Sequence, residues 1–234
     1  MPKVLSFICQ KGGTGKSTLT KATAAFLNDH NMSCVVIDSD FPQHSLFNQR
    51  QRDLYKLSTE GNGLPTLEAL QEVGVKPYPI DPSNVETSGI RLTAMTSSKA
   101  IDFMLVDLPG TLNVEGIRQI VKHLDLAIIP CEMEVMSIQA ALDTIHILHD
   151  FRSELRIGFL WSRLDRNHSE TGRKGLEDYI RRNSPGVYIF NFIAFKNREF
   201  REITTIGPAP DALSPFMDEL AVFLDSPVGA VLTE

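Results

Sequence analysis

Two lysines five residues apart, Lys11 and Lys16, frame a glycine-rich run, CQKGGTGKST, from Cys9 to Thr18. The usual phosphate-binding loop reads G-x-x-x-x-G-K-[ST], and this run matches it except that Gln10 stands at the first glycine. Gly12, Gly13 and Gly15 let the backbone take positive φ and approach a ligand closely, so successive amides converge on phosphate oxygens. Thr14 lies within the same turn. Lys16 is placed to reach the β- and γ-phosphates of a nucleotide, Ser17 to ligate Mg²⁺ and Thr18 to touch the α-phosphate. A helix starting at Lys16 adds the positive end of its dipole. The pattern leaves open what a second lysine, Lys11, is for.

Chemistry on a phosphate also needs acids. Mg²⁺ keeps several waters and takes only one or two carboxylates, so one acid at the end of a neighbouring buried strand suffices. FMLVDLPG supplies Asp107, expected to hold the metal with Ser17; a helix cap or a satisfied buried acid are the alternatives. VVIDSDFPQHS supplies Asp38 and Asp40. A carboxylate near a γ-phosphate can align a water or accept its proton. Asp40 is assigned to that water and Asp38 to the metal shell; the alternative is that both simply end a strand.

These groups must be positioned by something. Short runs rich in Val, Ile, Leu and Phe alternate with longer amphipathic stretches, the pattern of βα units around a buried parallel sheet. Strands are expected at Val4–Cys9, Cys34–Asp38, Phe103–Asp107, Leu126–Pro130, Ile157–Trp161 and Val187–Ile193. Helices are expected at Lys16–Asp29, Val114–His123, Ser137–Phe151, Glu170–Arg182 and Pro215–Leu224. SLFNQRQRDLYKL and LPTLEALQEVG also read as helical, and KPYPI as a short extended piece. The fold class is α/β: three layers, with a mostly parallel sheet flanked by helices, as one domain over 1–234. The motifs fall at strand carboxyl ends, where open α/β sheets bind ligands.

Composition bounds the rest. The 234 residues are 42% hydrophobic and 22% charged, ordinary for a globular chain. With a net charge of −6, nucleic-acid binding must use a local patch. From Arg163 to Ile203, nine Lys/Arg stand against six Asp/Glu; this is either a solvated helix face or a functional patch. Three dispersed cysteines, Cys9, Cys34 and Cys131, fit a reducing setting. No signal peptide or membrane-spanning run is visible, which places the protein in the cytoplasm. His146 and His149 lack a third ligand and read as helix-face residues, His44 receives no catalytic role, and Trp161 reads as core.

Taken together, K-G-G-x-G-K-[ST] with its early lysine, IDSDFPQ and VDLPG resemble the deviant Walker A ATPases of the ParA/MinD family. The resemblance implies a P-loop NTPase fold and ATP hydrolysis with Mg²⁺. It further implies a homodimer sandwiching two ATP molecules, in which Lys11 reaches the partner's nucleotide as an arginine finger does. Two departures stand out. Phe41 lengthens the D-x-D-P-Q segment by one residue, and WSRLD puts Ser162, followed by Arg163, where the family often has an adenine-reading Asn. The C-terminal run PFMDELAVFLDSPVGAVLTE is acidic, unlike the basic membrane helix of MinD-type members. Similarity to ParA-type members implies nonspecific DNA binding, with Arg181, Arg182, Arg198 and Arg201 as candidates. It also implies a ParB-like activator, and a role in plasmid or chromosome partitioning or conjugative transfer. The alternatives are a metabolic ligase of the dethiobiotin synthetase type and a poorly hydrolysing ATP-dependent switch.

Overall fold

The computed structural model describes residues 1–59, 70, 72 and 74–226. Seven strands form one sheet: β1 (Lys3–Phe7), β2 (Cys34–Asp38), β3 (Ile80–Pro82), β4 (Phe103–Asp107), β5 (Leu126–Cys131), β6 (Arg156–Leu164) and β7 (Tyr188–Phe195). Their order is β3-β2-β4-β1-β5-β6-β7, and every pairing is parallel. Parallel strands need covered faces, and alternate residues supply two cores. Val4, Ile37, Met104, Val106, Ile129 and Trp161 point to one face. Leu5, Val36, Leu105, Ile128 and Leu160 point to the other.

The helices divide between these faces. α1 (Lys16–Asp29), α2 (Ser45–Thr59) and α8 (Ser214–Asp225) contribute Leu19, Leu46, Phe216 and Leu220 to the second core. α3 (Val85–Met95), α4 (Ile117–Val121), α5 (Val135–Phe151) and α6 (Glu170–Asn183) contribute Leu92, Ile120, Ile145 and Ile180 to the first. The one-turn helix α7 (Arg198–Glu202) follows β7. Trp161 is core as expected: its indole N–H donates to Glu177 at 2.8 Å. The expected helix LPTLEALQEVG lies mostly outside the described residues.

β1 is the middle strand, so the phosphate loop leaves the sheet at its centre and turns directly into α1. Asp38 and Asp107 end the adjacent strands β2 and β4 in register with each other. The topology thus gathers the three sequence motifs at one edge of the sheet. Among the described residues, no helix is long and apolar enough to cross a membrane.

Candidate functional site

A crevice of about 690 Å³ opens at this edge, a size suited to a nucleotide-scale ligand. Gly12, Gly13, Gly15, Lys16, Ser17, Thr18 and Asp40 line one end. Gly13 and Gly15 have φ of 81° and 94°, the left-handed region that side chains avoid. At Gly15 a Cβ would also come within 3.2 Å of the Ser162 hydroxyl. Gly15 is the N-cap of α1, and no side chain caps that helix. Its first amides are left for a ligand. The Lys16 amine donates to the Lys11 carbonyl at 3.3 Å, across the mouth of the loop. Thr14 is buried, and its carbonyl accepts from Ser162 at 2.7 Å.

The two acids in register behave differently. Asp107 is fully buried, and neither carboxylate oxygen has a hydrogen-bond donor at bonding geometry. Burial pushes its pKa up to about 7; the nearby Ser17 hydroxyl and Lys16 pull the other way, while Asp38 and Asp40 push with it. A buried carboxylate without donors is costly unless a cation meets it. The Ser17 hydroxyl beside Asp107, with Asp40 facing the crevice, is a donor set of hard oxygens that fits Mg²⁺. Asp38 is equally buried but well satisfied. Its Oδ2 accepts from the amides of Leu46 at 3.0 Å and Phe47 at 2.9 Å, in the first turn of α2. Its Oδ1 accepts from the Asp40 amide at 3.3 Å. Asp38 therefore caps α2 and fixes the backbone of Asp40, whereas the sequence suggested a metal ligand. Asp40 is partly exposed, and its pKa is raised, first by desolvation and then by Asp38.

Lys11 does not line the crevice. Its amine donates to the Glu134 carboxylate and, at 2.7 Å, to the Ser137 hydroxyl, both at the start of α5. Glu134 raises the Lys11 pKa, and Lys11 lowers that of Glu134. Arg163 has φ of 57° and donates to the Gly13 carbonyl, with Glu132 3.7 Å away. Ser162 and Arg163, expected beside an adenine, line the crevice and also buttress the phosphate loop through Thr14 and Gly13. The far end of the crevice is lined by Phe195, Lys196, Asn197, Phe200 and Arg201. Sequence reading took only Arg198 and Arg201 from this segment, as DNA contacts, and not its place in the crevice. Its signal was available: FKNREF begins at the last residue of a strand, at the edge where ligands sit. The Asn197 side chain caps α7 by accepting from the Phe200 amide at 2.9 Å.

The four candidate DNA-binding arginines are not brought together. Arg181 and Arg182 end α6, at the edge of the sheet opposite the crevice; Arg198 and Arg201 lie on α7, at the crevice edge. Arg198 is paired with Glu202 at 2.7 Å and Arg201 lines the crevice. His146 bonds the Asn183 carbonyl at 3.3 Å, a helix-face role.

Against this geometry, a protein-family model described as the CobQ/CobB/MinD/ParA nucleotide binding domain matches residues 5–203. No curated protein matches the chain in sequence. Among solved structures, a putative plasmid partition protein from Borrelia burgdorferi B31 bound to AMPPNP is 21% identical, with a TM-score of 0.64 over 96% of this chain and 99% of that one. pNOB8 ParA is 18% identical, with a TM-score of 0.62 over 95% and 90%. The same protein bound to nonspecific DNA has a TM-score of 0.54 at 18% identity, over 85% and 89%. At these identities the structures speak for the fold. The family match spans most of the chain, including the phosphate loop, Asp40, Asp107 and Arg163, and the chain belongs to the CobQ/CobB/MinD/ParA family of nucleotide-binding domains.

Proposed function

We propose that this chain is a ParA-type ATPase that hydrolyses ATP with Mg²⁺ as an ATP-sandwich homodimer and binds DNA nonspecifically. The observation that carries the reading is Asp107: buried, with no donor at bonding geometry among the described residues, and beside Ser17 behind the phosphate loop. Lys16 and the uncapped amides of α1 would bind the β- and γ-phosphates. Ser17 and Asp107 would hold Mg²⁺, which supplies charge neutralisation on the transferring phosphoryl group. Asp40, its basicity raised by its surroundings, would orient the attacking water and accept its proton. Asp38 would serve by holding the Asp40 backbone. Phe195, Asn197 and Phe200 would form the base end, with Ser162 and Arg163 acting on the loop.

The Lys11 amine lies outside its own crevice, which supports a role on a second chain's nucleotide. The DNA-bound neighbour supports DNA engagement. In this chain the candidates are Arg181 and Arg182 at one edge of the sheet and Arg198 at the other; Arg181 and Arg198 each pair with an acid of their own helix, Asp178 at 3.6 Å and Glu202 at 2.7 Å, and such binding weakens steeply with salt. Partitioning or conjugative transfer, with a ParB-like activator, is the setting we infer. The test is the solution mass with ATP–Mg²⁺, with ADP and without nucleotide. Wild type should dimerise with ATP only, and Lys11→Ala should stay monomeric. A mass indifferent to nucleotide would overturn the sandwich.

A further inference from the structure

α1 carries a further lysine on the crevice wall, one that the phosphate-loop pattern does not call for. Lys21 lines the crevice and is only 6% exposed. Its amine donates to the Ile203 carbonyl at 2.7 Å and to the Gln49 side-chain oxygen at 2.8 Å. Both acceptors are neutral. An ammonium group has three N–H donors, so one is left over. Among the described residues no carboxylate pairs with Lys21. Asp53 on α2 acts on it through space but is itself held by the Thr205 amide at 2.7 Å and hydroxyl at 2.8 Å. A buried cation without an anion is costly, as a buried carboxylate without a donor is. Desolvation accordingly lowers the Lys21 pKa to about 8, with Asp53 raising it and Arg52 lowering it further. The lysine is not needed to hold the wall it bonds. The Gln49 amide also donates to the Ile203 carbonyl, at 3.1 Å. Two residues on, Arg50 donates to the Thr205 carbonyl at 2.8 Å and hydroxyl at 2.9 Å.

We propose that Lys21 is a nucleotide-binding residue whose remaining N–H takes the α-phosphate of the bound nucleotide. The inference rests on the reading of the crevice as a nucleotide site. Side chains on a helix lean toward its N-terminus, so Lys21 projects over the turn that carries Ser17 and Thr18. Thr18 is the residue placed at the α-phosphate. An ammonium is a compact point charge, which favours an anion over a ribose hydroxyl or a base edge. The same amine then joins the phosphate to the Ile203 carbonyl at the end of α7, whose Phe200 and Arg201 line the far end of the crevice. ATP and ADP share the α-phosphate. Lys21 therefore holds both alike and adds nothing to discrimination between them. That sets it apart from Lys16, which addresses the outer phosphates.

The experiment is calorimetric titration of wild type and Lys21→Met with ADP and with a non-hydrolysable ATP analogue, at pH 8 in two buffers of different ionisation heat. Lys21→Met should bind both about ten- to hundredfold more weakly, by the same factor, the scale of a hydrogen bond to a charged group. At this pH Lys21 is part-protonated in the free protein and fully protonated against a phosphate. Wild type should therefore take up a fraction of a proton with ADP that Lys21→Met does not. The other charged groups at the crevice, Lys16, Asp40, Asp107, Lys196 and Arg201, are common to both proteins and cancel in the difference. Circular dichroism and urea titration check the fold. If Lys21→Met binds ADP as tightly as wild type, or more weakly with unchanged proton uptake, Lys21 is only a strut and the inference is wrong. A loss confined to the ATP analogue would move the contact to the γ-phosphate and overturn the assignment. If wild type itself binds neither nucleotide, the crevice reading fails first and the role of Lys21 with it.

Discussion

Asp38 and Asp107 end neighbouring strands in register, and both are completely shielded from solvent, yet their surroundings have little in common. Asp38 receives three backbone amides, two of them from the first turn of α2. Asp107 receives none at bonding geometry. The helix starts nearby repeat the contrast: α2 is capped by a carboxylate, and α1 begins at Gly15 with no cap. The chain spends one acid on making a rigid frame and leaves the other, with an uncapped helix, to be completed by a ligand. Burial alone does not distinguish the two; the count of donors does.

The strongest way to break this comparison is Asp107→Asn. Hydrolysis should fall by at least about 10²-fold, the scale seen when one charge-stabilising group is removed. A turnover assay with DNA and partner present would check it. The same variant should alter stability without nucleotide. The ordinary carboxyl value is 3.8, and in the fold Asp107 lies near 7. Between these values the unfolded chain has released its proton while the folded chain retains it. Stability from this group is therefore lost as pH rises from about 4 to about 7, by up to about 4 kcal/mol. Nucleotide-free Asp107→Asn should accordingly be more stable than wild type at pH 8 and equal to it near pH 4. Parallel urea titrations would show the opposite if Asp107 were satisfied within the fold.

Asp38→Ala should do the reverse. It strips two first-turn amides of α2 of their acceptor, for a loss of about 1–3 kcal/mol at neutral pH, whether or not Mg²⁺ is present. If Asp38→Ala leaves the urea midpoint unchanged yet abolishes Mg²⁺-dependent nucleotide binding, Asp38 is a metal ligand after all and the comparison collapses. Ser162→Ala gives the smallest effect. It removes one hydrogen bond to the Thr14 carbonyl, worth about 1 kcal/mol, and should weaken nucleotide binding severalfold through the phosphate loop. Calorimetric titration with ADP would measure it; unchanged affinity would mean the loop holds its shape without the buttress.

How much of this was legible in the sequence follows from distance along the chain. The bounds of α1, β2 and β4 were readable because glycine or aspartate punctuates a clean apolar pattern. The helix α3 was not, since VETSGIRLTAM mixes a glycine with β-branched residues and depends on the Asn84 cap. The strands β6 and β7 run further than expected, because their pairing continues through register shifts near Trp161 and Ser162 where the apolar alternation breaks. In the site, the phosphate loop was legible because its chemistry lies in consecutive residues. Glu134, Ser137 and the Phe195–Arg201 lining were not, since they meet the loop only after the sheet is assembled. Asp38 and Asp40 looked alike as strand-end acids; only the start of α2 tells them apart.

The buttressing of the phosphate loop has a consequence for how the protein is made. The Ser162 and Arg163 contacts to Thr14 and Gly13 span 148 and 150 residues of chain. Closing loops of that length is entropically expensive and late in folding. During synthesis the ribosome releases the glycine run long before it releases the strand that braces it. A nascent chain would therefore carry the motif while lacking the site, and nucleotide could stabilise this protein only once β6 has emerged.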